Sequence, residues 1–221
     1  MPATYRQQVP RPPEARPGEP APWSACPVEA RASITVERLR RALAALPPVS
    51  AVPVHSAVLV PVVQRAGEAT LVFIRRSEEL VRDAGHVAFP GGHLEPGERA
   101  VDAALRESQE EIGLDPALVE VIGSLGVAER RQRSERVAPF VGLVTGHPRL
   151  VPDGREVAAI FEVPVTSLAV DGVSWQERWE PGASRPGVCF FAGAPGLGRD
   201  LVWGLTARVV WDLLAAVLAD S

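Results

Sequence analysis

The chain has 221 residues, 46% of them apolar, and a formal net charge of −4. This suits a single globular domain with a full core, or one domain plus a tail, and it leaves no basic surplus for nucleic acid. It contains neither lysine nor asparagine, which excludes Schiff-base catalysis through a lysine and a lysine-bearing P-loop.

Prolines crowd residues 1–32, as in Val9-Pro-Arg-Pro-Pro13 and Pro17-Gly-Glu-Pro-Ala-Pro22. With fixed φ and no N–H to donate, such a stretch is expected to form no regular element. It would be an extended tail or an arm over the rest, giving residues 1–34 as tail and 35–221 as the domain. No charged-then-apolar leader opens the chain and no apolar run is long enough for a bilayer, so a cytoplasmic protein without a membrane partner is expected.

A helix is predicted over 36–46, stopped by Pro47-Pro48. Strands follow over 56–63 and 69–75, with Gly67 at the turn. An acidic helix ending at Gly113 comes next, then strands over 119–125 and 137–144. Residues 156–165 are of mixed type, 175–179 and 188–191 read as a hairpin, and 201–218 as a helix. Mixed strands and helices point to an α/β protein. Cys26 and Cys189 form no metal-binding pattern with the four histidines, and Cys189, in Val188-Cys-Phe-Phe191, reads as a buried free thiol.

The acidic stretch carries the chemistry. At about 100° per residue, Glu107, Glu110 and Glu111 fall within an arc of roughly 100° on a helix, while Val101, Leu105, Ser108 and Ile112 share the core-facing side. Three carboxylates on one stripe repel each other, and hard cations relieve the repulsion. Glu98 falls off that stripe; from a loop or first turn it either reaches the metals sideways or favours the helix N-terminus. Arg106, four residues before Glu110, either holds that carboxylate or meets substrate. Ser108 would bury a hydroxyl, satisfied by bonding back to the carbonyl of Ala104. Gly91 and Gly92 form a turn where backbone amides can approach phosphates. His86 and His93 flank it, near enough to approach substrate or simply on the surface.

The run from Gly92 through Glu98 and Arg106-Glu107 to Glu110-Glu111 and Gly113-Leu114 has the layout G-x5-E-x7-R-E-U-x-E-E-x-G-U, U being bulky and apolar. It resembles the signature box of the Nudix hydrolases, with Ser108 as its one departure. The resemblance implies an α/β/α sandwich with a mixed sheet, a Mg2+ or Mn2+ cofactor, and hydrolysis of a nucleoside diphosphate linked to another moiety. Glu107, Glu110, Glu111 and Glu98 would be metal ligands, and Glu107, Glu110 and Arg106 would act in catalysis, with Glu129 a further candidate for the base.

Upstream, Arg76, Ser77, Leu80, Gly85 and Phe89-Pro90-Gly91-Gly92 resemble the additional motif of the coenzyme A pyrophosphatase branch. Ile74 and Val81 depart from it. Trp203-Gly204-Leu205-Thr206-Ala207-Arg208-Val209 is similar to that branch's last helix, so the likeness covers about residues 55–215. It implies that coenzyme A or its thioesters are cut into 3′,5′-ADP and (acyl) 4′-phosphopantetheine, with Arg76, Gly91 and Gly92 binding substrate. The charged run Glu129–Arg136 is either a solvated loop or a hold on the 3′-phosphate. ADP-ribose, a dinucleotide or a nucleoside triphosphate are the other substrates, and a nucleotide sensor that does not cut is the non-enzyme alternative, disfavoured by the complete set of box carboxylates. A homodimer is left open.

Overall fold

The computed structural model describes residues 5–47, 53–130, 135–179 and 187–219. Its strands are β1 (Arg16–Pro17), β2 (Ser56–Arg65), β3 (Glu68–Arg76), β4 (Val87–Ala88), β5 (Gly91–His93), β6 (Val119–Ser124), β7 (Ala128–Arg130), β8 (Glu135–Val144), β9 (Val157–Pro164), β10 (Ser174–Arg178), β11 (Val188–Phe191) and β12 (Val202–Trp203). The helices are α1 (Val28–Arg31), α2 (Val36–Ala44), α3 (Ala100–Ile112), α4 (Val165–Leu168) and α5 (Gly204–Leu218).

A mixed sheet forms the centre, with the order β4-β3-β2-β8-β6 and with β5, β7 and β9 paired to β2, β8 and β3. Among the described residues only β2 and β8 run parallel. The period-2 alternation of strand side chains divides the core into two layers. Val60 and Val62 of β2, with Leu71 and Phe73 of β3, meet Leu39 and Leu43 of α2 and Val210 and Leu214 of α5. Their neighbours Leu59, Val63, Val72 and Ile74 face Ala103, Ala104 and Ile112 of α3. Helices on both faces of one mixed sheet make the α/β/α sandwich. Among the described residues no helix is long and apolar enough to cross a membrane.

The strands β2 and β3 pair only near their shared turn, from Val62↔Leu71 to Arg65↔Glu68. Beyond it they splay, and residues 87–93 fill the gap. Val87 and Ala88 pair with Arg75 and Ile74 on one side, and Gly91, Gly92 and His93 pair with Val58, Ala57 and Ser56 on the other. Phe89 is buried against Phe73 with ring centroids 4.7 Å apart, and the Leu59 N–H donates to the Pro90 carbonyl at 2.9 Å. The expected Gly-Gly turn is therefore a short strand: its backbone partners lie on β2, far away in sequence.

Residues 5–34 lie against the rest of the protein. Trp23 is buried 4.8 Å from Trp211 of α5 and also stacks on Phe191. Arg31 is buried too, donating to the Ala169 carbonyl and to Asp171. The expectation of no regular element in 1–32 fails, because β1 pairs with β10 and α1 occupies Val28–Arg31. Pro27 stands just ahead of that helix, where its missing N–H costs nothing. The expected helix from Leu201 begins only at Gly204, since Val202 and Trp203 pair with Phe191 and Phe190. Residues 174–178 and 188–191 form the expected antiparallel pair, and the mixed segment 156–165 resolves into β9 followed by α4. Cys189 is a buried free thiol, as expected.

Ser108 is fully buried, and its hydroxyl donates to the Ala104 carbonyl at 2.6 Å. The core face of α3 is Ala103, Ala104, Ser108 and Ile112; Val101 and Leu105, expected there, are only half-buried. Removing a self-satisfied hydroxyl leaves no orphan partner. Ser108→Ala should therefore change unfolding free energy by less than about 1 kcal/mol and leave turnover unaltered. A well-folded Ser108→Ala protein with a large catalytic defect would place this residue in the chemistry instead.

Candidate active site

The helix α3 ends at Gly113, whose φ of +67° forms a left-handed cap that returns its N–H to the carbonyls of Gln109 and Ser108. This end anchors the site, because Glu111 stands two residues inside it and is buried on the wedge of residues 87–93. Its Oε2 accepts from the Gly91 N–H at 2.9 Å. Burial pushes the Glu111 carboxyl up to about 8, a rise that the Gly91 bond and Arg76 reduce and that Glu107 and Glu156 add to. The Gly91 amide expected to face phosphate is thus committed to a carboxylate.

The two glycines are needed for this approach. Gly91 has φ +151°, and a Cβ there would fall 2.3 Å from the Ala57 carbonyl oxygen. A Cβ on Gly92 would fall 2.4 Å from the Glu107 carboxyl carbon. Glu107 therefore lies directly on the bare backbone of the wedge. Its carboxyl is also raised, chiefly by burial, with Glu110 and Glu156 adding to the effect and Arg106 opposing it.

Arg106 gathers the remaining carboxylates. Its Nη1 donates to Glu107 at 3.0 Å and to Glu110 at 3.2 Å. Its Nε and Nη2 take both oxygens of Glu98 at 2.9 and 3.0 Å, and Nη2 also donates to the His93 carbonyl at 3.1 Å. These contacts use all five guanidinium N–H groups. The pair holds the Glu98 carboxyl below its ordinary range and Arg106 above its own. Glu98 sits in the loop before α3, and its carboxylate is turned to Arg106 rather than left free beside Glu111.

Arg76 behaves differently. Its Nη1 is 3.8 Å from Glu111 and its Nη2 3.6 Å from Glu156, too far for hydrogen bonds. Its Nε is buried without a partner among the described residues. A guanidinium with donors to spare beside the two carboxylates of Glu111 and Glu156 is poised for an added anion.

Glu156 was not legible in the sequence. It enters the site because Asp153 accepts the N–H groups of Arg155, Glu156 and Val157, folding the segment ahead of β9, and the Asp153 N–H donates to the Glu111 carbonyl. Only an Asp followed by Gly154 hints at such a turn. Glu129, the alternative base, is exposed on β7 opposite Arg136. Residues 131–134 of the charged run lie outside the described residues; its two ends are strands, β7 and β8, rather than loop. His93 reaches across to Glu135 at 3.2 Å, and Glu135 also accepts from the Ser56 hydroxyl.

Sequence-predicted residues Arg76, Gly91, Gly92, Glu98, Arg106, Glu107, Glu110 and Glu111 thus converge on one edge of the sheet. Among the described residues no group of three or more His, Cys, Asp or Glu side chains is close enough to hold a metal ion as it stands. The donor chemistry nonetheless fits a hard divalent cation. All donors are carboxylate oxygens, Glu107 and Glu111 are raised by burial and by neighbouring carboxylates, and Glu110 is 60% exposed and bonded to Arg106.

The chain matches the NUDIX domain family over residues 53–182. It is 35% identical over 165 residues to the uncharacterized Nudix hydrolase NudL of Yersinia enterocolitica serotype O:8, an alignment covering 74% of this chain and 81% of that protein. The NudL of Yersinia pestis strain Pestoides F is 32% identical over 164 residues, covering 74% and 79%. A MutT/nudix family protein from Enterococcus faecalis shares the fold with a TM-score of 0.51 at 18% identity, over 87% of this chain and 72% of that one. With the family matched across more than half of this chain, and with every box carboxylate present and the box helix lying on the wedge, the chain belongs to the Nudix family of hydrolases.

Proposed function

We propose that this Nudix hydrolase cleaves the diphosphate of coenzyme A or its thioesters, with Mg2+ or Mn2+ held by Glu107, Glu110 and Glu111. The observation that carries the proposal is the contact between the two motifs. The segment that resembles the coenzyme A branch supplies Arg76, Gly91 and Gly92, and these residues meet the box carboxylates.

A bound divalent cation would neutralise charge on the diphosphate and acidify a water. The protein's residues would do the rest. Arg76 turns its loosely held Nη groups to the phosphate oxygens. Arg106 has no donor to spare, so it acts by holding Glu107 and Glu110 in place, and Glu98 in turn holds Arg106. Glu98 would join the metal ligands only by giving up part of that pair. Glu107, raised and beside Gly92, takes the proton of the attacking water on a carboxylate oxygen, with Glu110 assisting. The water oxygen bonds to one phosphorus, the bridging P–O bond breaks, and two phosphomonoesters leave: 3′,5′-ADP and 4′-phosphopantetheine.

The test is a substrate panel of coenzyme A, dephospho-coenzyme A and ADP-ribose, with products identified by mass spectrometry. Coenzyme A should give the highest kcat/KM, and dephospho-coenzyme A about tenfold less or lower, the effect of one charge-assisted phosphate contact of roughly 1.5–3 kcal/mol. Equal efficiency on the two would remove the 3′-phosphate from recognition. A clear preference for ADP-ribose would overturn the coenzyme A assignment.

A further inference from the structure

Beside the carboxylate site lies a second feature that the reaction itself does not use. A hollow of about 390 Å³ is lined by Gln8, Val9 and Pro10 from the N-terminal segment and by His86 and Trp203 from the domain. That volume lies within the range of small-molecule sites, about 300–1,000 Å³. The His86 and Trp203 rings meet edge to face, 5.2 Å apart. The Trp203 indole N–H is buried with no hydrogen-bond partner among the described residues.

The hollow is built rather than incidental. Gln7, itself buried, fixes the N-terminal segment with three bonds. Its amide nitrogen donates to the Gly85 carbonyl and to Asp200, each at 2.9 Å, and its oxygen accepts from the Leu201 N–H at 2.7 Å. Arg75 holds Asp200 from β3 at 2.8 Å. The hollow also connects to the catalytic edge. The pairing of Arg75 with Val87 continues through the bond from the Arg76 N–H to the His86 carbonyl, so His86 stands opposite Arg76. Residues opposite each other on an antiparallel pair are side-chain neighbours, and the Arg76 Nη groups lie beyond hydrogen-bond reach of Glu111 and Glu156.

We propose that this hollow receives the adenine ring of the substrate, so that the N-terminal segment forms one wall of the substrate site. Flat rings and a proline suit a planar heterocycle. Arg76 would then stand between the base and the carboxylates, where the phosphates of an adenine nucleotide lie. The proposal rests on the substrate being an adenine nucleotide, though not on its being coenzyme A.

Calorimetry with ADP and UDP in EDTA tests it on the intact protein, away from turnover. The two probes share the diphosphate and differ in the base. ADP should bind at least about tenfold more tightly than UDP. Pro10→Trp, which fills the hollow from an exposed position, and His86→Ala should each weaken ADP about tenfold and abolish the preference over UDP. Equal affinities for ADP and UDP in the unaltered protein would overturn the proposal, as would a retained preference in a folded Pro10→Trp protein. If coenzyme A proves a poor substrate while the ADP preference holds and is lost in the variants, the hollow stands and only the choice of adenine nucleotide changes. If coenzyme A is cleaved well and the variants keep the preference, the hollow alone is refuted.

Discussion

Glu111→Gln should lower turnover at least about a hundredfold while leaving the metal-free protein as stable as the parent or more so. Glutamine preserves the size and can still accept from the Gly91 N–H, yet it offers no anionic ligand. The stability half follows from linkage. The folded pKa of Glu111 is raised from its ordinary value near 4.5 to about 8. Between those values the folded protein binds more protons here than the unfolded chain. The contribution of this group is therefore fully present below about 4.5 and is lost as pH rises through about 8. In EDTA the parent should lose thermal stability between about pH 5 and 9, and Glu111→Gln should flatten that slope. A variant with near-parental turnover, or an unchanged slope, would contradict this role for the side chain.

Gly92→Ala should impair catalysis without unfolding the protein. Its backbone needs no left-handed conformation, but the new methyl would sit 2.4 Å from the Glu107 carboxyl carbon. Glu107 is a flexible side chain on a helix, so it can swing aside and spare the fold. In doing so it leaves Arg106 and the other carboxylates. A fall in kcat of about tenfold to a hundredfold is expected, consistent with misplacement of a catalytic group by about an ångström, with cooperative unfolding retained. Gly91→Ala provides the contrast: its methyl meets main chain 2.3 Å away, and so the sheet itself should be lost. Parental kcat in Gly92→Ala would mean that Glu107 works from another position.

What the sequence showed and what it concealed follow from range. The box was legible because a helix repeats locally: three glutamates within one arc, and a serine whose partner lies four residues back. The strands β2, β3 and β8 were legible from alternation and turn glycines. The burial of Glu111 was not, because it depends on Gly91 reaching across from a strand that fills the splay between β2 and β3. Glu156 was hidden for the same reason, since only the docking of Asp153 onto the end of α3 brings it in. Leu201 to Trp203 read as helix because a short apolar run has no period of its own, and pairing with β11 decided its state. Proline content suggested no structure for residues 1–32, yet single side chains such as Gln7, Trp23 and Arg31 fix that segment by contacts that leave no periodic trace.

The metal platform is tested most directly by calorimetric titration of Mn2+ at pH 7 in buffers of different ionisation enthalpy. With Glu111 protonated at that pH in the metal-free protein, ligation must expel its proton. The unaltered protein should bind Mn2+ with release of close to one proton, and Glu111→Gln should bind at least about tenfold more weakly with that release gone. Equal Mn2+ affinity and equal proton release in the two proteins would contradict the assignment of Glu111 as a metal ligand.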